Sequence, residues 1–268
     1  MRVGSLFAGI GGFDLGLERA GMRVRWQVEI DPYCQRVLAK HWPDVTRYGD
    51  IRVVDWSTVE PVDLLCGGFP CQDISLAGKG AGLTGERSGL WFEYAKAIAA
   101  LRPRYVLIEN VSALRARGLD QVLGSLAALG YDAEWHCIPA CAVGAPHRRD
   151  RVWIVADASR AGGRARGQSD STRQEIAHRS IEMADAERMR KLQPQGSQCH
   201  EWRRLSDCSW WNIEPELGRV AHGVPHRVDR LRGLGNAVVP QIVHWLGEQI
   251  MKVERENLHR LQRDETSR

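Results

Sequence analysis

The sequence predicts an α/β fold, a mixed and mostly parallel sheet with helices on both faces and one small inserted domain. Three observations carry this. Short apolar runs of strand length alternate with stretches whose apolar residues recur at helical spacing. The first unit is a strand, a glycine turn and a helix, a nucleotide-type cradle in which backbone can approach a ligand closely. From Asp157 to about Asp207 this periodicity fades into a polar stretch rich in Arg, Ser and Gln, which reads as the insertion.

Arg2 to Phe7 forms the first strand, and Ala8-Gly9-Ile10-Gly11-Gly12 is the turn after it. Phe13 to Ala20 follows as a helix, stopped by Gly21. A dinucleotide fingerprint wants a third glycine where Asp14 stands, so NAD is disfavoured. The second strand, Val24 to Ile30, ends on Glu29, where a carboxylate suits ribose hydroxyls. Pro32 then opens a helix through Lys40. In Gly49-Asp50-Ile51 a carboxylate and an apolar side chain could hold an adenine, or the Asp is an ordinary loop residue.

Val62 to Cys66 reads as a buried strand leading into Gly67-Gly68-Phe69-Pro70-Cys71-Gln72-Asp73-Ile74-Ser75. The helix opening at Arg87-Ser88-Gly89 places Trp91, Tyr94, Ala97, Ile98 and Leu101 on one face. Tyr105 to Ile108 is an apolar strand that runs into Glu109-Asn110-Val111. Leu119 to Leu129 is a helix ended by Gly130, and Tyr131 to Ile138 and Val152 to Ala156 are further strands. Leu234 to Pro240 precedes an amphipathic helix expected to run to about Met251, with a frayed helix or polar tail beyond it.

Composition bounds the function classes. At 268 residues the chain can bury a sizeable core, and 43% hydrophobic with 26% charged residues is ordinary for a globular protein. Seven cysteines without a regular framework argue for reduced thiols. Neither Cys137/Cys141 nor Cys199/Cys208 makes half of a convincing zinc site, so no metal is expected. The N-terminus enters a strand almost at once, and no apolar run approaches ~18 residues. The expectation is a cytoplasmic protein without membrane insertion. The net charge of +4 is mild, but Arg160 to Arg204 holds ten Lys/Arg against six Asp/Glu, a local basic excess that suits phosphates.

Three stretches carry chemistry. Cys71 stands at a strand end, after a proline and before a loop containing Gly78, Gly80, Gly82, Gly85 and Gly89. This suits a nucleophile with a closing lid, and equally a buried thiol beside a tight turn. Glu109 follows a fully apolar strand, where a carboxylate is costly unless used, or else caps a turn. Arg149 and Arg151 alternate at the mouth of a strand, which would put both on one face, suited to phosphate or a base carbonyl. A solvated basic turn is the plainer reading.

Gly-Phe-Pro-Cys-Gln with Ser75 beyond it, Glu-Asn-Val, Arg-x-Arg at Arg149 and Arg151, and Gly-Asn-Ala-Val at Gly235 stand in one order along the chain. Together they resemble the DNA cytosine-5 methyltransferases, compact bacterial or phage members in particular. The resemblance implies an S-adenosylmethionine-dependent, Rossmann-like methyltransferase fold. Its S-adenosylmethionine pocket would comprise Phe7, Ala8, Gly9, Ile10, Gly11, Gly12, Glu29, Ile30, Asp50, Ile51, Pro70, Leu90, Asn236 and Val238. Cys71, Glu109, Arg149 and Arg151 would be catalytic. Gln72, Ser75, Arg87, Arg203 and Arg204 would face double-stranded DNA.

The same resemblance implies residues 1–156 as the catalytic and cofactor-binding domain and 157–229 as a small target-recognition region. Residues 230–252 would return to the catalytic domain, with 253–268 a polar tail. It further implies a monomer, a cytosine swung out of the duplex, and a cognate restriction endonuclease or phage DNA protection as context. The alternatives are an RNA (transfer-RNA) cytosine-5 methyltransferase and a catalytically silent DNA-binding relative. Ser5 stands where the family often has Asp, and is expected to hydrogen-bond nearby. His147 replaces a family Gln, and the usual Arg-x-Leu-Thr-x-Arg-Glu segment is not visible.

Overall fold

The computed structural model describes residues 1–70, 89–158 and 227–266. Cys71, Gln72, Ser75, Arg87, Arg203 and Arg204, and residues 159–226 of the expected 157–229 recognition region, lie outside the described residues.

Strand β1 (Arg2–Leu6) enters the glycine turn and helix α1 (Gly12–Arg19). Strand β2 (Arg23–Val28) leads to helix α2 (Pro32–His41), whose first turn is capped by Asp31 accepting from the amides of Tyr33 and Cys34. Strands β3 (Thr46–Tyr48) and β4 (Leu64–Gly67) follow, then helix α3 (Leu90–Leu101) and strand β5 (Tyr105–Val111). Helices α4 (Leu114–Arg117) and α5 (Leu119–Ala128) connect to strands β6 (Asp132–Ile138) and β7 (Arg151–Asp157). The last elements are helices α6 (Arg227–Asn236) and α7 (Pro240–Thr266).

The seven strands form one sheet in the order β3-β2-β1-β4-β5-β7-β6. Every described neighbouring pair is parallel except those made by β7, which runs against both β5 and β6. Alternation along the strands divides the core into two layers. Leu65, Val106, Ile108 and Ile154 face α3 and α5, packing on Trp91, Tyr94, Ile98 and Val122. Leu64, Leu107 and Trp153 point the other way, onto Phe13 and Leu17 of α1 and Ile242, Val243 and Leu246 of α7. The chain order reverses between β1 and β4, so a crevice opens at the carboxyl ends of these two strands.

Helix α7 reaches Thr266, well past the expected stop near Met251. No glycine or proline interrupts that polar stretch, and three of its described charges find partners. Glu254 pairs with Arg104 and accepts from the Tyr105 hydroxyl at 3.1 Å, and Lys252 lies 3.8 Å from Glu256. At its other end α7 sits against α1 through glycines. A Cβ on Gly16 would lie 2.5 Å from that of Val243, and one on Gly12 2.9 Å from the Val238 carbonyl.

Beneath the glycine turn lies a buried polar cluster. Asp14, on the first turn of α1, accepts from Ser5 Oγ at 3.1 Å and from Gln27 Nε2 at 2.8 Å, joining β1, β2 and α1. The expectation that Ser5 hydrogen-bonds nearby holds. Burial raises the Asp14 carboxyl to about 6 against these hydrogen bonds. Between its ordinary 3.8 and about 6 the folded chain keeps a proton that the unfolded chain has lost. Asp14 therefore favours folding at low pH, and this contribution fades as pH rises through that interval. Asp14→Asn is expected to flatten the dependence of the urea midpoint on pH between 4 and 6, because Ser5 can turn its hydroxyl to accept from the amide.

Candidate active site

A cleft of about 790 Å³ opens over the carboxyl ends of β1, β2, β4 and β5. One half is built by the glycine turn. Phe7 adopts φ 51°, Gly9 φ 57° and Gly11 φ 88°, so the chain turns tightly out of β1 and into α1. Gly11 could carry no side chain, since the Trp42 ring occupies its Cβ position at 2.4 Å. Glu29 locks this turn: one carboxylate oxygen accepts from the Gly9 amide at 2.7 Å, the other from the Asp31 amide at 2.8 Å. Gln35 Nε2 donates to the Glu29 carbonyl at 2.5 Å. Burial holds the Glu29 carboxyl above its usual range, opposed by those amide donors. A carboxylate has about four acceptor sites, so it retains capacity for ligand hydroxyls.

The floor beyond Glu29 is apolar with a charged edge. Ile51 is buried, whereas Ile30 is 61% exposed at the opening. Asp50 caps the short 3₁₀ turn Ile51–Val53 and pairs with the Arg52 guanidinium at 2.5 Å. That hydrogen bonding holds the Asp50 carboxyl below its ordinary value.

The other half gathers around the Gly67-Gly68-Phe69-Pro70 segment after β4. Glu109, on β5, lies directly over it, and a Cβ on Gly68 would come within 2.8 Å of Glu109 Oε2. Only glycine lets the carboxylate approach this backbone. The neighbouring Asn110, 2% exposed, donates from Nδ2 to the Phe69 carbonyl at 3.1 Å and accepts the Val111 amide at 2.9 Å. The backbone two residues before Cys71 is thus pinned to the strand that bears Glu109.

Arg151 Nε lies 2.9 Å from Glu109 Oε1, with the carboxylate side chain only 13% exposed. The pairing follows from register: β7 is antiparallel to β5, and Arg151 faces Val111, so it lies diagonally across from Glu109 on the same face. Desolvation raises the Glu109 carboxyl to about 7, although Arg151 and Arg149 both pull it down. A carboxyl near 7 can donate or accept a proton at neutral pH. Arg149 reaches the cleft by another route than expected. It precedes β7 with φ 38°, so strand alternation does not apply to it, and its Nη2 donates to the carbonyls of Gly235 at 2.6 Å and Ala237 at 2.7 Å.

Of the expected pocket residues, Phe7, Gly9, Glu29, Ile30, Asp50, Ile51, Pro70, Leu90 and Asn236 line the cleft, as do Glu109, Arg149 and Arg151. Ala8, Ile10, Gly11, Gly12 and Val238 stand behind that wall and shape it. Ala8 is buried, Gly12 is closed off by Val238, and Ile10 packs 3.2 Å from the Cβ position of Gly233. Asn110, Phe69 and Glu93 also line it, without a role read from the sequence. For Asn110 a signal existed: an amide inside an apolar strand must find partners. Among the described residues no cluster of His, Cys, Asp and Glu could hold a metal, and no helix is long and apolar enough to cross a membrane.

A glycine turn braced by an acidic residue at the end of β2, beside a carboxylate–arginine pair carried by β5 and β7, marks an α/β protein whose cleft lies at the carboxyl ends of its strands. The family model described as C-5 cytosine-specific DNA methylase matches residues 1–196, and the chain belongs to that family. It is similar to the Type II methyltransferase M2.BsuMI of Bacillus subtilis, 38% identical over 164 residues, covering 58% of this chain and 42% of that protein. To the Type II methyltransferase M.DsaV of Dactylococcopsis salina it is 37% identical over 154 residues, 56% of this chain and 44% of the other. The matched part spans less than half of either relative. The crystal structure of a mutant DNMT2 of Spodoptera frugiperda shares the fold, with TM-score 0.51 and 18% identity over 63% of this chain and 53% of that one.

Asn110→Ala would leave the buried Phe69 carbonyl and Val111 amide without their partner. It is expected to lower unfolding free energy by about 1–3 kcal/mol, read from urea unfolding at fixed pH.

Proposed function

We propose that this protein methylates C5 of cytosine in double-stranded DNA at a specific short sequence, with S-adenosylmethionine as methyl donor. The observation that carries the reading is the Glu109 carboxylate lying over Gly68, three residues before Cys71 and paired with Arg151. The cofactor fits the other half: Glu29 offers acceptor capacity for ribose hydroxyls, Ile51 and Leu90 offer apolar walls, and Asn236 closes the far side. Bound there, S-adenosylmethionine would supply an electrophilic methyl group to C5.

C5 of cytosine is a poor nucleophile, and the chain's own residues overcome this. The Cys71 thiolate adds to C6, and the electron pair moves to C5, making it enamine-like. Glu109, protonated, holds N3 and draws electron density from the ring as the thiolate adds. Arg151 orients that carboxyl and faces the base carbonyl. After methyl transfer the C5 proton leaves and the Cys71–C6 bond breaks, restoring the aromatic ring. Neither face of a stacked base is open to this chemistry, so the cytosine leaves the duplex, at a cost of a few kcal/mol. Residues 72–89 are the segment proposed to close over it, with Gln72, Ser75 and Arg87 toward DNA. Residues 157–229, with Arg203 and Arg204, form the proposed recognition region. A restriction endonuclease acting on the same sequence is the proposed biological partner.

Expression in a host lacking cytosine methylation, followed by mapping of 5-methylcytosine at single-base resolution, tests this. The expected result is methylation at one short recurring sequence, lost in Cys71→Ser with S-adenosylmethionine binding retained. An unmethylated genome alongside methylated transfer RNA would move the activity to RNA.

Glu109 supplies a second test. If its protonated form holds N3, turnover falls as pH rises through about 7. Glu109→Gln keeps an N–H donor that does not titrate, so that alkaline fall is expected to vanish while the maximal rate drops at least about tenfold. An unchanged pH profile would remove Glu109 from the proton-bearing role.

A further inference from the structure

The two arginines of Arg149-Asp150-Arg151 diverge. Arg151 begins β7 and turns to Glu109. Arg149 takes a left-handed backbone conformation that non-glycine residues seldom adopt, which aims its side chain away from the strand. The turn is held there by the Ala140 amide donating to the Arg148 carbonyl at 2.6 Å.

What Arg149 meets is the end of α6. This helix has no basic residue in its last turn, where the terminal carbonyls carry the negative end of the helix dipole. The Ala237 amide returns to the Leu234 carbonyl at 3.2 Å. Arg149 Nη2 supplies the rest, at 2.6 Å from the Gly235 carbonyl and 2.7 Å from that of Ala237. These carbonyls flank Asn236, which lines the cleft together with Gly233 and Gly235. Just beyond, the Val238 carbonyl and side chain sit against Gly12 at the start of α1. One guanidinium therefore fixes the segment that joins the glycine turn to the wall of the cleft.

We propose that Arg149 is a positioning residue for the cofactor: it clamps the Gly235–Ala237 backbone, and with it Asn236, against the cofactor half of the cleft, leaving Arg151 alone to serve the reacting base. The inference rests on the methyl-transfer reading above. It parts the two arginines by parameter, with Arg149 governing cofactor affinity and Arg151 the chemical step.

The test measures S-adenosylmethionine dissociation constants by calorimetry and single-turnover methylation at saturating cofactor, on the full chain. Arg149→Ala removes two charge-assisted hydrogen bonds and is expected to weaken cofactor binding about 10- to 100-fold, with the single-turnover rate at saturation close to wild type. Arg151→Ala is expected to show the reverse. Arg149→Lys keeps the charge on a shorter, unforked side chain and should fall between wild type and alanine. If the alanine variant does not fold, the lysine variant decides in the same terms. Wild-type cofactor affinity in a folded Arg149 variant, with the rate collapsed at saturation, would overturn the proposal alone. Wild-type protein that binds no S-adenosylmethionine would overturn both it and the methyl-transfer reading.

Discussion

The antiparallel pairing of β7 with β5 brings Arg151 opposite Val111 and so to 2.9 Å from Glu109. Were β7 parallel to its neighbour, as the rest of the sheet is, its first residue would lie at the other end of the strand. Over seven residues that is a displacement of about 20 Å. Glu109 would then be a buried carboxyl without a cation, a costly arrangement that a chain removes by neutralising or losing the group. One reversed strand in a parallel sheet thus makes an ionisable acid tolerable above Gly68. The same reversal delivers the loop before β7, and with it Arg149, to the C-terminal segment.

The two halves of the cleft solve similar problems by different means. In the half built by the glycine turn, a carboxylate is satisfied by backbone: Glu29 takes the amides of Gly9 and Asp31, and becomes the brace of the turn it faces. In the half around Gly68, Glu109 is satisfied by a side chain, and its desolvation outweighs the attraction of two arginines. Glu29 is suited to constancy and Glu109 to proton exchange, a division that follows from which donors each meets.

Much of this was readable from residues alone. The strand–glycine–helix unit, Glu29 at the end of β2 and Glu109 on an apolar strand all announce themselves locally, through periodicity, glycine spacing and a charge where burial is expected. The direction of β7 does not, because Val152 to Ala156 is an apolar run that reads alike both ways. Nor does the path of Arg149: alternation places Arg149 and Arg151 together only if both belong to the strand, and the left-handed residue ends it between them. Of the Ser5–Asp14–Gln27 cluster only the hydrogen bonding of Ser5 is legible, for a related reason. Its members belong to three elements, and only packing shows that Asp14 points into the sheet rather than to solvent. The length of α7 was underestimated because its polar residues find partners on Arg104 and Tyr105, far away in sequence.

The packing of α7 on α1 has a consequence for how the molecule comes into being. Gly12 and Gly16 are closed off by Val238, Pro240 and Val243, and Gly247 meets Ala20. The cradle therefore lacks one wall until residues more than two hundred positions later have been made. Contacts of such sequence separation close slowly, and until then the apolar face of α1 stays uncovered. At about 5–20 residues per second the nascent chain spends some ten seconds or more in that half-built state. The complete cleft thus forms long after the glycine turn that builds one half of it has been translated.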